Sequence, residues 1–211
     1  MHCPLCSSKE ISDYFSNKRR DFLQCENCGL VFVPEQFHLT YEEEKKRYDL
    51  HENDPEDGGY RKFLSRLAIP LKEKLKPNSH GLDFGSGPGP TLSKMLEEYG
   101  HTVDLYDYFY ANDKEVLKKK YDFITATEVF EHLRKPITVI EQIWSMLRPD
   151  GILGVMTKLV IDKEAFSTWH YVTDRTHICF FSVKTFNWLA DKLGASLEFI
   201  GNDVIILNKE K

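Results

Sequence analysis

Residues 81–89 read GLDFGSGPG, and no other stretch so narrows the folds open to this chain. An apolar run carrying Leu82 and Phe84 ends in glycines at alternate positions, Gly85, Gly87 and Gly89. Leu92, Met95, Leu96 and Tyr99 then recur at i, i+3, i+4 and i+7, with Pro90 suited to a first helical turn and Gly100 to a helix end. The pattern predicts a strand over 81–84, a tight turn, and a helix over 90–99. Glycine lets such a turn bend sharply and lets a ligand rest on main-chain N–H groups beside a helix N-terminus. The spacing is not the GxGxxG of a dinucleotide site, and Pro90 and Thr91 stand where a P-loop needs Lys and Ser/Thr. Asp83, just ahead of the turn, would repel phosphate and attract a cationic or zwitterionic ligand.

Strand and helix patterns alternate downstream. Strands are predicted over 102–106, 122–126 and 151–158, and helices over 136–147 and 182–193. Two last strands, 195–200 and 203–208, are joined by Gly201 and Asn202. Such alternation predicts an α/β fold with a largely parallel sheet covered by helices, and the Gly-Asn turn predicts a C-terminal antiparallel hairpin. Residues 76–211 are read as the ligand-binding domain. Residues 36–75 are read as a helical lid or linker with a polar helix over 41–48, a turn-rich loop over 49–59 and a helix over 60–75. The last helix carries Phe63, Leu64, Leu67 and Leu71 on one face, and Pro70 is expected to kink or divide it.

Residues 1–35 read as a separate small module. Cys3 and Cys6, then Cys25 and Cys28, are two CxxC pairs with 18 residues between them. Two such turns at hairpin distance complete a closed tetrahedral four-thiolate zinc site, the spacing of a zinc ribbon. A redox CxxC would need only one pair, on a βαβ unit. Short strands are expected over 13–15, 22–24 and 30–33. Lys18, Arg19 and Arg20 are expected in a solvated turn, able to meet an anion. Four of five cysteines in this pairing fit metal in a reducing compartment rather than disulfides. The first residues do not read as a secretory leader and no apolar run approaches a membrane span, so a cytoplasmic protein is expected. A net charge of −5 gives no general attraction to nucleic acid, though a local basic patch would remain compatible with it.

Residues 81–89 together with 121–133, YDFITATEVFEHL, resemble the first and fourth motifs of the class I S-adenosylmethionine (SAM)-dependent methyltransferases. The likeness runs over roughly residues 41–208 and implies a Rossmann-like methyltransferase sheet with SAM as cofactor. It implies that Asp83, Phe84, Gly85, Ser86, Gly87 and Gly89 hold SAM, and that Glu128, Val129 and His132 lie beside its methionine part and the transferred methyl. Asp107, at the tip of the second strand, is placed to accept both ribose hydroxyls; Asp104 is the competing choice, within the strand. Tyr108 is expected on the adenine. Tyr48, His51, Asn53 and Tyr60 are expected in a lid over the pocket. Only 14 residues, 108–121, follow the second strand, where the family often inserts a helix, a strand and an adenine-contacting acid. That contact is left unassigned.

An oxygen or nitrogen acceptor would need a base, and His132, His170 and His177 are the candidates. Glu128, Glu131, His132 and His177 also compose a set able to hold a second divalent cation, a pattern similar to that of small-RNA 3′-end 2′-O-methyltransferases and of quinone-type O-methyltransferases. Trp169 and Tyr171 are read either as a stacking wall for the acceptor or as loop anchors, and Cys179 as core. Three functions follow. The first is methyl transfer to a small molecule; the second is methyl transfer to RNA, with the ribbon as a docking module. The third is SAM binding for regulation without catalysis.

Overall fold

The computed structural model describes residues 1–50 and 53–210. The chain opens with β1 (Ile11–Ser16), β2 (Asp21–Cys25) and β3 (Val31–Phe32), followed by helices α1 (Tyr41–Tyr48) and α2 (Gly58–Lys74). Then come β4 (His80–Phe84), α3 (Thr91–Glu98), β5 (Thr102–Tyr106), β6 (Tyr121–Thr127), α4 (Pro136–Met146) and β7 (Leu147–Met156). The chain ends with α5 (Lys163–Thr168), β8 (Cys179–Phe180), α6 (Val183–Leu193), β9 (Ala195–Ile200) and β10 (Val204–Lys209).

The central sheet has the order β5-β4-β6-β7-β10-β9. Strands β5, β4, β6 and β7 are parallel, whereas β10 runs antiparallel to both β7 and β9. The expected hairpin is therefore present, turning at Gly201 with φ 62°. Strands buried on both faces alternate their apolar residues between two cores. Phe123 of β6 with Val204 and Ile206 of β10 face Leu64, Leu67 and Leu71 of α2 and Leu92, Met95 and Leu96 of α3. Ile124, Ile205 and Leu207 face Ile140 and Ile143 of α4 and Phe186 and Leu189 of α6. This arrangement sets the C-terminal tips of β4, β5, β6 and β7 side by side, where open α/β sheets bind ligands.

Three local expectations are refined. Pro70 does not divide α2, which runs unbroken from Gly58 to Lys74. Proline removes one backbone donor, and the burial of Leu64, Leu67, Ala68 and Leu71 on one face holds the helix through it. The sheet of the module expected over 1–35 takes in a strand from outside it: β8 pairs with β3 to give the sheet β1-β2-β3-β8. The ribbon's Phe22, Leu30 and Phe32 accordingly share one apolar core with Phe166, Phe180 and Phe181. Arg20, finally, is not solvated. It is 3% exposed, and its guanidinium donates to the main-chain carbonyls of Val172, Asp174, Arg175 and His177.

Candidate active site

The glycine turn is built as its composition demands. Gly85 holds φ 77°, a left-handed conformation open to glycine, and a Cβ there would stand 2.4 Å from Cγ2 of Val129. Gly89 is closed by approach rather than by torsion, since a Cβ would lie 1.8 Å from the Asn53 carbonyl oxygen. The two motifs thus touch through Gly85 and Val129, and Asn53 presses on the turn at Gly89. Asp107 follows the tip of β5 and ties that tip to the turn. One carboxylate oxygen accepts the Gly87 N–H at 3.0 Å, and the other accepts those of Phe109 and Tyr110 at 2.8 and 3.1 Å. Asp104 is otherwise employed. It accepts from Lys119 and the Tyr121 hydroxyl and pairs with His80.

A cavity of about 1700 Å³ opens over this turn. It brings together Asp83, Phe84, Gly85, Ser86, Gly87, Gly89, Asp107, Tyr108, Glu128, Val129, His132, His170 and His177, while Glu131 of the expected cation set is buried outside its lining. Tyr48, Asn53 and Tyr60 line it as well, while His51 lies outside the described residues. Tyr48 meets the His132 ring edge-on at 5.5 Å, and the exposed Tyr108 leans on Tyr41 of α1 at 5.6 Å. Trp169 does not serve as cavity wall. It stacks on Tyr171 at 4.8 Å and packs against Phe166 and Phe180, as a loop anchor does. Cys179 is core, its thiol donating to the Leu133 carbonyl.

Two carboxylates, the buried Asp83 and the half-buried Glu128, line the cavity, and Glu131 is buried behind it. Burial pushes Asp83 up to about 6, against the hydrogen bond it accepts from Thr125 at 2.8 Å. Burial likewise pushes up Glu128 and Glu131, and the Glu131 charge raises Glu128 further. Glu131 is fully buried and accepts from the hydroxyls of Thr157 and Tyr171. Glu128 is held at φ 53°, a strained torsion for a residue with a side chain, while its N–H donates to the Met156 carbonyl at 2.8 Å. Glu128 Oε1 and Ser86 Oγ are buried without a hydrogen-bond partner among the described residues. Acids held above their usual range in a closed hollow favour a cation, and unpaired buried polar atoms favour a polar ligand group.

One ligating atom each from Glu131, His132 and His177 falls within 4.8 Å of the others. The His132 Nδ1 lies 3.1 Å from the Thr176 carbonyl and the His177 Nδ1 lies 2.9 Å from that of Tyr171. A carbonyl only accepts, so both rings carry their proton on Nδ1 and keep the Nε2 lone pair. Burial lowers both imidazoles, and His132 lowers His177 further, which disfavours their charged forms. Glu128 is adjacent, 3.4 Å from the Tyr171 hydroxyl, yet it falls outside the compact group of three. His170 sits apart at the exposed rim, accepting from Lys158 Nζ at 3.1 Å.

The cysteines gather as expected: Cys3, Cys6, Cys25 and Cys28 lie within 4.8 Å of one another, all free of disulfides. Cys3 and Cys28 Sγ are 3.6 Å apart and Cys6 and Cys25 Sγ 3.4 Å, near the roughly 3.8 Å edge of a tetrahedron with 2.3 Å Zn–S bonds. The donor set and its spacing therefore fit a four-thiolate zinc ion.

The sequence missed Thr157, Tyr171 as a hydroxyl donor, and Arg20. Thr157 follows the tip of β7, a position the strand pattern marks. Arg20 carried no such local signal.

A family model described as a methyltransferase domain matches residues 51–198. The chain belongs to that methyltransferase-domain family. A curated ubiquinone biosynthesis O-methyltransferase from Actinobacillus pleuropneumoniae serotype 7 (strain AP76) is 32% identical over 88 residues, 40% of this chain and 38% of that protein. The match thus spans well under half of that relative's length. Among solved structures, the Burkholderia thailandensis 1,6-didemethyltoxoflavin-N1-methyltransferase aligns with a TM-score of 0.56 and 14% identity, over 95% of this chain and 100% of that one. An O-methyltransferase family protein from the same organism aligns at 0.51 and 12% identity, over 80% and 63%. At such identities the likeness establishes the fold, a Rossmann-like methyltransferase sheet. Among the described residues no helix is long and apolar enough to cross a membrane.

Proposed function

We propose that the protein methylates a small-molecule acceptor at oxygen or nitrogen, with SAM seated on the glycine turn and the acceptor beneath the ribbon and α1. The observation that carries this is the cavity itself. Its walls include Tyr41, Tyr48, Phe109 and Tyr110 together with Phe32 and Val33 of the ribbon, which makes a deep, aromatic hollow rather than a basic track. Asp83, Ser86, Gly87, Asp107 and Glu128 would hold SAM. Bound there, SAM supplies a methyl carbon on a sulfonium that leaves readily. The chain's own task is then to align the acceptor and keep water out. Tyr48, Asn53 and Tyr60 close the top of the hollow. The partial likeness to an O-methyltransferase supports oxygen as the methylated atom.

Glu131, His132 and His177 would hold a divalent cation, with imidazoles whose Nδ1–H groups are already fixed on carbonyls. Such an ion would draw two neighbouring acceptor oxygens together and favour their deprotonation. With both buried imidazoles committed, His170 remains as the base at the rim. The four thiols would hold a structural zinc that supplies folding free energy to the ribbon.

Incubation with methyl-labelled SAM against metabolite pools and against RNA tests this directly. Label in small molecules is expected. Label confined to RNA would overturn the acceptor class, and label in neither would favour a SAM-binding regulator.

A further inference from the structure

Arg20 is a ribbon side chain that reaches the scaffold of the Glu131–His132–His177 group, and the sequence had put it in solvent. Its Nη1 donates to the carbonyls of His177 at 2.9 Å and Arg175 at 3.3 Å, and its Nη2 donates to that of Val172 at 2.8 Å and to that of Asp174. The guanidinium also lies 5.0 Å from the centre of the Phe22 ring. All four acceptors are main-chain carbonyls within residues 172–177. A planar fork can serve four such oxygens at once, which a lysine ammonium cannot do.

That segment and Tyr171, which precedes it, supply most of the groups that orient the cluster, and Thr157 supplies another. The Tyr171 carbonyl receives the His177 Nδ1–H, and the Thr176 carbonyl receives the His132 Nδ1–H. The Tyr171 hydroxyl donates to Glu131. Asp174 accepts the N–H and hydroxyl of Thr176, which closes the turn locally. The far end of the segment is held by the ribbon as well: Val33 donates its N–H to the Ile178 carbonyl, and β3 pairs with β8. Arg20 stands at the start of β2, the strand that ends in Cys25.

We propose that Arg20 is a positioning residue: through the carbonyls of residues 172–177 it fixes the Nδ1–H tautomers and mutual placement of His132 and His177, and so couples the ribbon to the reactive cluster. Use of that cluster in methyl transfer rests on the function proposed above; the placement of the imidazoles does not. The ribbon then serves as more than a cover, because loosening it releases the segment that carries the His177 imidazole and the Thr176 carbonyl, next to the Tyr171 carbonyl.

The experiment uses the full zinc-loaded chain and two variants, Arg20→Ala and Arg20→Lys, the second keeping the charge so that folding is retained. Long-range proton–nitrogen spectra of the imidazoles are expected to show single Nδ1–H tautomers for His132 and His177 in the parent. Mixed tautomers are expected in both variants, with one zinc still bound per chain. Methylguanidinium should restore the parent pattern in Arg20→Ala, and ammonium should not. Affinity for Mn²⁺, measured on the same samples, is expected to fall about 10- to 100-fold, the usual cost of losing an outer-shell partner. Unchanged tautomers in a folded Arg20→Lys protein would overturn the proposal. Altered tautomers in a chain whose parent form binds no Mn²⁺ would uphold Arg20's placement of the pair and sink only the cation reading.

Discussion

The four thiols of the ribbon and the Glu131, His132 and His177 group are both compact enough to hold an ion, yet they are assembled in opposite ways. The thiols come from two CxxC turns, so chain geometry alone brings each pair together, and four donors leave no open position. The second group takes two donors from the turn after β6 and the third from a segment 45 residues later, and two of its three donors, His132 and His177, line a cavity. The first is all sulfur, and its geometry fits an ion that maintains a fold. The second combines a buried carboxylate with two imidazoles, each oriented by a carbonyl and lining the cavity. Closure and locality accompany a structural role, and an open side built from distant residues accompanies chemistry.

The most damaging change should be Cys25→Ser. Structural zinc in small modules supplies about 10–16 kcal/mol of binding free energy, so the variant should lose its metal and its ribbon fold, with β8 and residues 172–177 released too. Metal analysis and thermal unfolding check this, and one zinc retained per chain would erase the contrast between the clusters. Next is Asp83→Asn in the SAM-free protein. Burial raises the folded carboxyl from 3.8 to about 6, so ionising it costs about 3 kcal/mol of stability. That loss sets in as pH rises from about 4 to about 6 and is complete above. The variant should therefore melt higher than the parent at pH 7 and alike at pH 3.5, and a lower midpoint at pH 7 would refute the charge-starved cavity. A smaller effect is expected of Glu131→Gln, which should weaken Mn²⁺ binding on zinc-loaded protein while leaving ribbon zinc in place. Parallel loss of both metals would mean that the clusters are not independent. The smallest belongs to Lys18→Ala, an exposed neighbour of Arg20, whose unfolding midpoint should shift by less than about 0.5 kcal/mol equivalent.

What could be read from the sequence follows the same division. The glycine turn, the alternation of strands and helices, the terminal hairpin and both CxxC pairs are local patterns, and each reappears within a few residues of its expected bounds. His132 and His177 were recognisable as a type of ligand, though nothing in the order of residues showed that Thr176 and Tyr171 would hold their protons. Arg20 was misread because its acceptors are main-chain carbonyls over 150 residues away, which leave no trace in local composition. Pro70 leaves α2 undivided for a related reason: a breaker signal is local, whereas the packing that holds the helix together is not. Trp169 was left open between wall and anchor, since an aromatic residue in a loop fits either until its neighbours are known.

The most direct test is calorimetric titration of SAM into the zinc-loaded protein and its Asp107→Ala variant. One equivalent should bind the parent, and the variant should bind at least about tenfold more weakly, as expected for losing a charged acceptor that also anchors Gly87. Absence of binding to the folded parent, or equal affinity in the two, would contradict the assignment of SAM to the crevice between Asp107 and the glycine turn.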